Sequence, residues 1–138
     1  MAVRGVRGAT TVPRNEAAAV VERTRELLRV LIESNALEPA DLGSAIFTVT
    51  DDLDAEFPAA AARSLPGWGE VPLICAREAP VPGSLGLCVR VLLHWNTDRT
   101  QSEVRHAFLR GARELRPGWA ARVPGDDEEP PPPRIPRR

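Results

Sequence analysis

The sequence contains no lysine and no tyrosine, and all eighteen of its basic residues are arginine. The missing lysine excludes Schiff-base chemistry on a lysine amine and any phosphate loop that depends on one. There are two cysteines, Cys75 and Cys88. They are too few for a disulfide scaffold and do not have metal-site spacing. The two histidines, His94 and His106, stand in no HExxH or CxxC context, so no metal is expected. A strong charge of one sign is also missing. Eighteen basic against nineteen acidic residues leave −1, which argues against a nucleic-acid or membrane-surface partner. No apolar run approaches the ~18 residues of a membrane span. The opening Met1-Ala2-Val3-Arg4-Gly5 carries no apolar leader, and a reducing cytoplasm is the expected location.

What is present suits one ordinary globular domain. The chain has 138 residues, 43% of them apolar and 27% charged. Its composition shifts near the C-terminus. From Pro117 onward it holds seven of the fourteen prolines, the acidic run Asp126-Asp127-Glu128-Glu129, and Pro130 to Pro133. The expected division is a folded domain over 1–117 and a Pro-rich, flexible tail over 118–138.

Val3 to Val12 reads as a strand in which Gly5 and Gly8 mark a bulge or a close backbone approach. Asn15 is placed to cap a helix running to about Ser34. Val20, Thr24, Leu27, Leu28, Leu31 and Ile32 make its buried stripe, and Arg23, Glu26, Arg29 and Glu33 its solvated face. A short helical turn follows at Glu38 to Leu42. Further strands are expected at Ala45 to Thr50, Val71 to Glu78 and Leu87 to Trp95, with a short helix over Ala59 to Leu65. Thr100 to Arg105 starts helical. Residues 106–115 fit both helical spacing and alternation, and periodicity leaves them open. The order describes an α+β sheet of four or five strands with one long helix. One helix cannot cover both faces, which favours burial against identical copies.

The catalytic inventory is thin. There is no Gly-rich phosphate loop, no GxSxG elbow and no histidine in a base-like context. Three residues remain. Arg7 follows a glycine-flanked strand segment, Glu78 ends a strand, and Arg90 interrupts the apolar run Leu87-Cys88-Val89-Arg90-Val91-Leu92-Leu93. A guanidinium in such a strand either points to solvent or is buried against an anion. Alternation alone leaves both open.

The opening Arg4-Gly5-Val6-Arg7-Gly8-Ala9-Thr10-Thr11-Val12 resembles the start of the monofunctional, trimeric chorismate mutases of bacteria. Further matches follow in order. They include Phe47-Thr48-Val49-Thr50-Asp51-Asp52-Leu53, Ala55-Glu56-Phe57-Pro58-Ala59, Ala62-Arg63 and Val71-Pro72-Leu73. After them come Arg77-Glu78, Pro82-Gly83-Ser84-Leu85, Arg90-Val91, Asn96-Thr97-Asp98, Arg105-His106 and Leu115-Arg116-Pro117. Any one piece is weak, but the colinear set is specific and spans 2–117.

The resemblance implies a fold and a chemistry. The fold is a mixed five-stranded sheet with one long helix and short helical turns, trimerising into a pseudo-α/β barrel. It places a fifth strand through 106–115. The chemistry is the Claisen rearrangement of chorismate to prephenate in phenylalanine and tyrosine biosynthesis, which needs no cofactor or metal. Arg90 resembles the donor to the ether oxygen, Arg7 the partner of the side-chain carboxylate, and Glu78 the acceptor for the ring hydroxyl, with Cys75 beside it. Phe108, Leu115 and Arg116 resemble other pocket residues. Phe57, Ala59, Arg63, Leu73 and Ile74 resemble the contribution of a neighbouring subunit. Two departures stand out: Phe108 replaces a common tyrosine, and Ala60 stands where a lysine can occur. Both lower the attraction for the substrate and imply a raised KM. The competing readings are a non-catalytic trimeric binder of small dianions, an imine-deaminase-like protein on a similar fold, and an interaction protein acting through its tail.

Overall fold

A computed structural model describes residues 1–137, and Arg138, the last residue of the expected tail, lies outside the described residues. Five strands form one sheet in the order β3-β2-β4-β1-β5. They are β1 (Ala2–Thr11), β2 (Leu42–Val49), β3 (Leu73–Arg77), β4 (Cys88–Thr97) and β5 (Ala107–Phe108). β4 runs antiparallel to both β1 and β2, while β3 runs parallel to β2 and β5 parallel to β1.

The long helix α1 (Ala17–Asn35) lies on one face of this sheet. Its buried residues Val20, Thr24, Leu27, Leu28 and Leu31 follow the expected stripe. They pack with Val6, Phe47, Val89, Val91 and Leu93 from the strands. Each fully buried leucine contributes ~1.5–3 kcal/mol. Gly8 lets the helix come this close. A Cβ there would stand 2.8 Å from Leu31 Cδ1, 3.1 Å from Leu27 Cδ1 and 3.2 Å from Val91 Cγ1. The close-approach reading of Gly8 therefore holds.

The cap differs from expectation. Glu16 is the N-cap and supplies no side-chain bond. Asn15 instead clasps the loop after β2: its Oδ1 accepts from the Asp54 and Ala55 amides, and its Nδ2 donates to Asp54. At the other end, Asn35 bonds the backbone of Arg105 in both directions. That ties α1 to the segment before β5. The short helix α2 (Ala59–Arg63) stops two residues before the expected limit at Leu65.

Residues 106–115 are only briefly a strand. β5 covers Ala107–Phe108, and the chain then turns into a 3-10 helix over Arg110–Glu114. Arg110 makes the switch at φ 56°, in the left-handed region.

The C-terminal segment does not hang free of the body. It crosses the sheet edge as a strap. The Ala121 amide donates to Phe108 O at 2.9 Å, Gly86 to Pro133 O at 2.7 Å, and Ile135 to Ser84 O at 2.8 Å. The acidic run meets arginines from two elements. Glu129 pairs with Arg23 and Arg110, and Asp126 lies 3.6 Å from Arg113. Arg110 also pairs with Glu26. Arg23 is thus held by the strap instead of belonging to a solvated face. Prolines preset an extended backbone and lower the entropy lost when such a segment is laid down.

Replacing Gly8 by valine should lower the unfolding free energy by ~1–3 kcal/mol through overpacking. Urea denaturation of the two proteins measures this. A change of a few tenths would show that the helix rides loosely on β1.

Candidate active site

The sheet face opposite α1 carries the polar constellation. Strand alternation sends Val6 and Val91 to the helix side and Arg7 and Arg90 to the other. Register does the rest. Arg90 pairs with Ala9 on one side and Thr48 on the other, and Arg7 pairs with Leu92. The two arginines are therefore diagonal neighbours on adjacent central strands. Glu78 stands just past the end of β3, with its amide bonded to Val49 O at 2.9 Å. Arg7, Ile46, Thr48, Glu78, Arg90 and Leu92 line a cavity of about 350 Å³. A larger hollow of about 700 Å³, lined by Ala79, Pro80, Val81, Pro82 and Arg137, brings no polar groups together.

The electrostatics of the smaller cavity suit an anion. Burial, and then the neighbouring Arg90 charge, push the Arg7 guanidinium below its ordinary value. Glu78 offsets this in part. Its Oε1 lies 3.7 Å from Arg90 Nε, an ion pair too long for a hydrogen bond. Arg90 Nε is buried and without a hydrogen-bond partner among the described residues. A buried donor without a partner is costly. Glu78 itself is steadied by Thr48, whose hydroxyl donates to Oε1 at 2.6 Å.

The start of β4 is fixed from below. Leu87 adopts φ 46°, unusual for a leucine, and its amide donates to both carboxylate oxygens of Asp52 at 3.0 Å. The Cys88 amide donates to Thr50 Oγ1, which donates in turn to Asp52. Burial pushes the Cys88 thiol up to about 11.

The other expected residues divide. Phe108 is fully buried, 5.7 Å beneath the Arg7 guanidinium. Leu115 packs beside Phe108 in a small cluster with Ala9 and Cys88. Arg116 is close enough to act on both Arg7 and His106. These residues gather around the same corner as Arg7 and Arg90. Cys75 does not. It packs toward the helix side and lines a second cavity of about 370 Å³ with Phe57, Leu53 and Arg77. Phe57 is 64% and Ile74 63% exposed, unusual for such large apolar groups. Leu73 is half-buried, Arg63 is exposed, and Ala59 is buried at the start of α2. Among the described residues, no group of His, Cys, Asp and Glu is arranged to hold a metal ion, and no helix is long and apolar enough to cross a membrane.

Sequence pattern alone does not single out Thr48 or Trp119, and it puts His106 in no base-like context. Thr48 shares a face with Arg90 only through cross-strand register, which a single sequence does not display. His106 Nδ1 accepts the Arg7 amide at 2.9 Å. Trp119 lies in the segment expected to be loose.

Comparison with known proteins adds independent findings. The family model for chorismate mutase type I matches residues 3–119. The chain is 52% identical over 116 residues to chorismate mutase AroH of Thermus thermophilus, covering 83% of this chain and 94% of that protein. It is 42% identical over 117 residues to chorismate mutase AroH of Bacillus subtilis, covering 85% and 92%. The fold matches a solved chorismate mutase from Clostridium thermocellum with a TM-score of 0.78 and 50% identity, over 80% of this chain and 98% of the other.

Buried, and kept as a thiol by that burial, Cys88 should resist an aromatic disulfide reagent at pH 8 in the native protein. It should react at once on unfolding, as read by mass spectrometry of the labelled peptides. Fast native labelling at Cys88 would mean that this corner opens readily.

Proposed function

The chain belongs to the chorismate mutase type I family, and on that footing we propose that Arg7, Arg90 and Glu78 carry its isomerisation of chorismate to prephenate. The observation that supports this assignment most is the cavity that Arg90, whose Nε has no hydrogen-bond partner among the described residues, lines together with Arg7 and one carboxylate. The reaction is pericyclic. Within one molecule the ether C–O bond breaks as a C–C bond forms, with no proton transfer and no external nucleophile. The protein has two tasks: to hold the folded diaxial conformer, and to favour the charge that grows on the ether oxygen.

Arg7 pairs with the side-chain carboxylate and keeps the enolpyruvyl group over the ring. Arg90 donates to the ether oxygen. Its interaction strengthens as negative charge develops there, so it lowers the barrier instead of binding substrate and transition state equally. Glu78, oriented by Thr48, accepts from the ring hydroxyl. An acceleration of ~10⁶-fold corresponds to ~8 kcal/mol, within reach of conformer selection and preorganised charge together.

The pocket is closed by a second copy in a homotrimer. The exposed Phe57 and Ile74, with Leu73, Arg63 and the backbone of Ala59, form the surface that a neighbouring subunit receives. Cys75 joins this donated set, because it lies with Phe57 on the side away from Arg7 and Arg90. The catalytic unit spans 1–117, the segment from 118 onward serves as its strap, and the enzyme works in the cytoplasm in phenylalanine and tyrosine synthesis. Both cysteines are unpaired, which suits that compartment.

Loss of chorismate absorbance on adding the purified chain, with acid conversion of the product to phenylpyruvate, is the direct test. Arg90→Ala should lower kcat by ~10²–10³, the range for removing one preorganised donor, whereas Arg63→Ala should act mainly on KM. Equal losses confined to KM would make Arg90 a binding residue only.

The pH profile is a second test. The Cys88 thiol stays neutral well above pH 9, and His106 is pushed below its ordinary value and is neutral at neutral pH. No group that takes or gives a proton acts in the step. kcat should therefore be flat from about pH 6.5 to 9. A bell-shaped kcat profile that vanishes with one substitution would overturn the pericyclic assignment.

A further inference from the structure

The indole of Trp119 lies against three residues around Arg7: Arg116 from its own turn, and His106 and Phe108 from the β5 segment. The Arg116 guanidinium lies over the ring, 3.6 Å from its centroid. The His106 imidazole stacks against it at 4.0 Å with a 36° tilt. The Phe108 ring meets it edge-on at 5.7 Å. Two of these three act directly on Arg7. His106 Nδ1 accepts the Arg7 amide, and Phe108 lies beneath the Arg7 guanidinium. Trp119 thus joins Arg116 to the β5-segment residues that contact Arg7.

Trp119 is itself held on both sides. Its amide donates to Arg116 O at 2.9 Å, closing the turn that starts at Pro117. The next residues bridge back to the sheet, with Ala120 beside Phe108 and the Ala121 amide on Phe108 O. Beyond them Glu129 is clamped by Arg23 and Arg110. The ring therefore has a defined place before any ligand arrives.

We propose that Trp119 is a positioning residue that holds Arg116, and through His106 and Phe108 the Arg7 corner, ready for the carboxylates of the substrate. This rests on the assignment of the Arg7–Arg90 cavity to chorismate. An exposed arginine loses much rotamer freedom when it grips a carboxylate. Stacking its planar guanidinium on an indole removes that freedom beforehand, so binding costs less. The indole touches no reacting atom. Its contribution is equal in ground state and transition state, and it acts on KM and not on kcat. The His106 imidazole fits the same arrangement. Burial, then the Arg116 and Arg7 charges, favour its neutral form, which leaves Nδ1 free to accept from Arg7.

The test uses the full-length chain and chorismate as probe. Trp119→Ala should raise KM roughly fivefold, the scale of an exposed cation–π contact, and leave kcat within about twofold. Trp119→Phe keeps an aromatic face and should recover most of the loss. Arg116→Ala should raise KM by a similar factor in the parent but by less than about twofold in the Trp119→Ala background, because the two act as one unit. An unchanged KM in Trp119→Ala, a Trp119→Phe variant no better than alanine, or full additivity with Arg116→Ala would each overturn the proposal. A parent chain without turnover would overturn the assignment of the cavity to chorismate, and this proposal with it. An active parent with indifferent Trp119 variants would overturn this proposal alone.

Discussion

Two guanidinium groups lie side by side in a half-buried cavity with a single carboxylate between three cations and solvent. Arg7, Arg90 and Arg116 cannot balance their charge on Glu78 alone. Like charges near a protein surface repel by several kcal/mol at ~4 Å, and partial burial removes the water that would screen them. Folding energy keeps them together. The deficit has the sign and size that a small dianion would offset, and it is built into the fold ahead of any ligand.

That arrangement is bearable because of where the arginines are rooted. β1 and β4 are interior strands, each paired on both sides, so the backbones of Arg7 and Arg90 have little freedom. The supporting contacts are graded outward. Leu87 is pinned in a left-handed conformation by Asp52 just before β4, and Glu78 hangs from the end of an edge strand and depends on Thr48. Arg116 lies farther out, in a segment with no strand at all, and leans on an aromatic ring. Support thus falls from the two arginines rooted in interior strands to Arg116 at the margin of the cavity.

Much of this was legible in the sequence. The stripe on α1, the glycine close approach, the four main strands and the trio of Arg7, Glu78 and Arg90 could all be read from periodicity and colinear motifs. What escaped depended on contacts between distant segments. Asn15 has the chemistry of a helix cap, but a nearby loop offers it three bonds and wins. Residues 106–115 fit two periods, and the left-handed Arg110 ends the strand after two residues. Cys75 is three positions from Glu78 in a strand, so the two side chains leave opposite faces; the resemblance put them together, and pleating puts them apart. The acidic and proline-rich segment reads as solvated because its arginine partners belong to α1, far away in the chain, and to residues 110–113, beyond an intervening turn.

The position of β1 bears on how the molecule comes into being. It is made long before both of its neighbours: Ala2 pairs with Thr97, and Gly8 with Ala107. During synthesis this strand leaves the ribosome with two unsatisfied edges and waits for most of the chain to follow. Such long-range pairing slows folding and leaves strand edges open to the wrong partner in the meantime. The charges Arg4 and Arg7 and the glycines at 5 and 8 make that waiting segment a poor template for aggregation. Arg7, which lines the pocket of the folded chain, thus also helps guard the nascent strand.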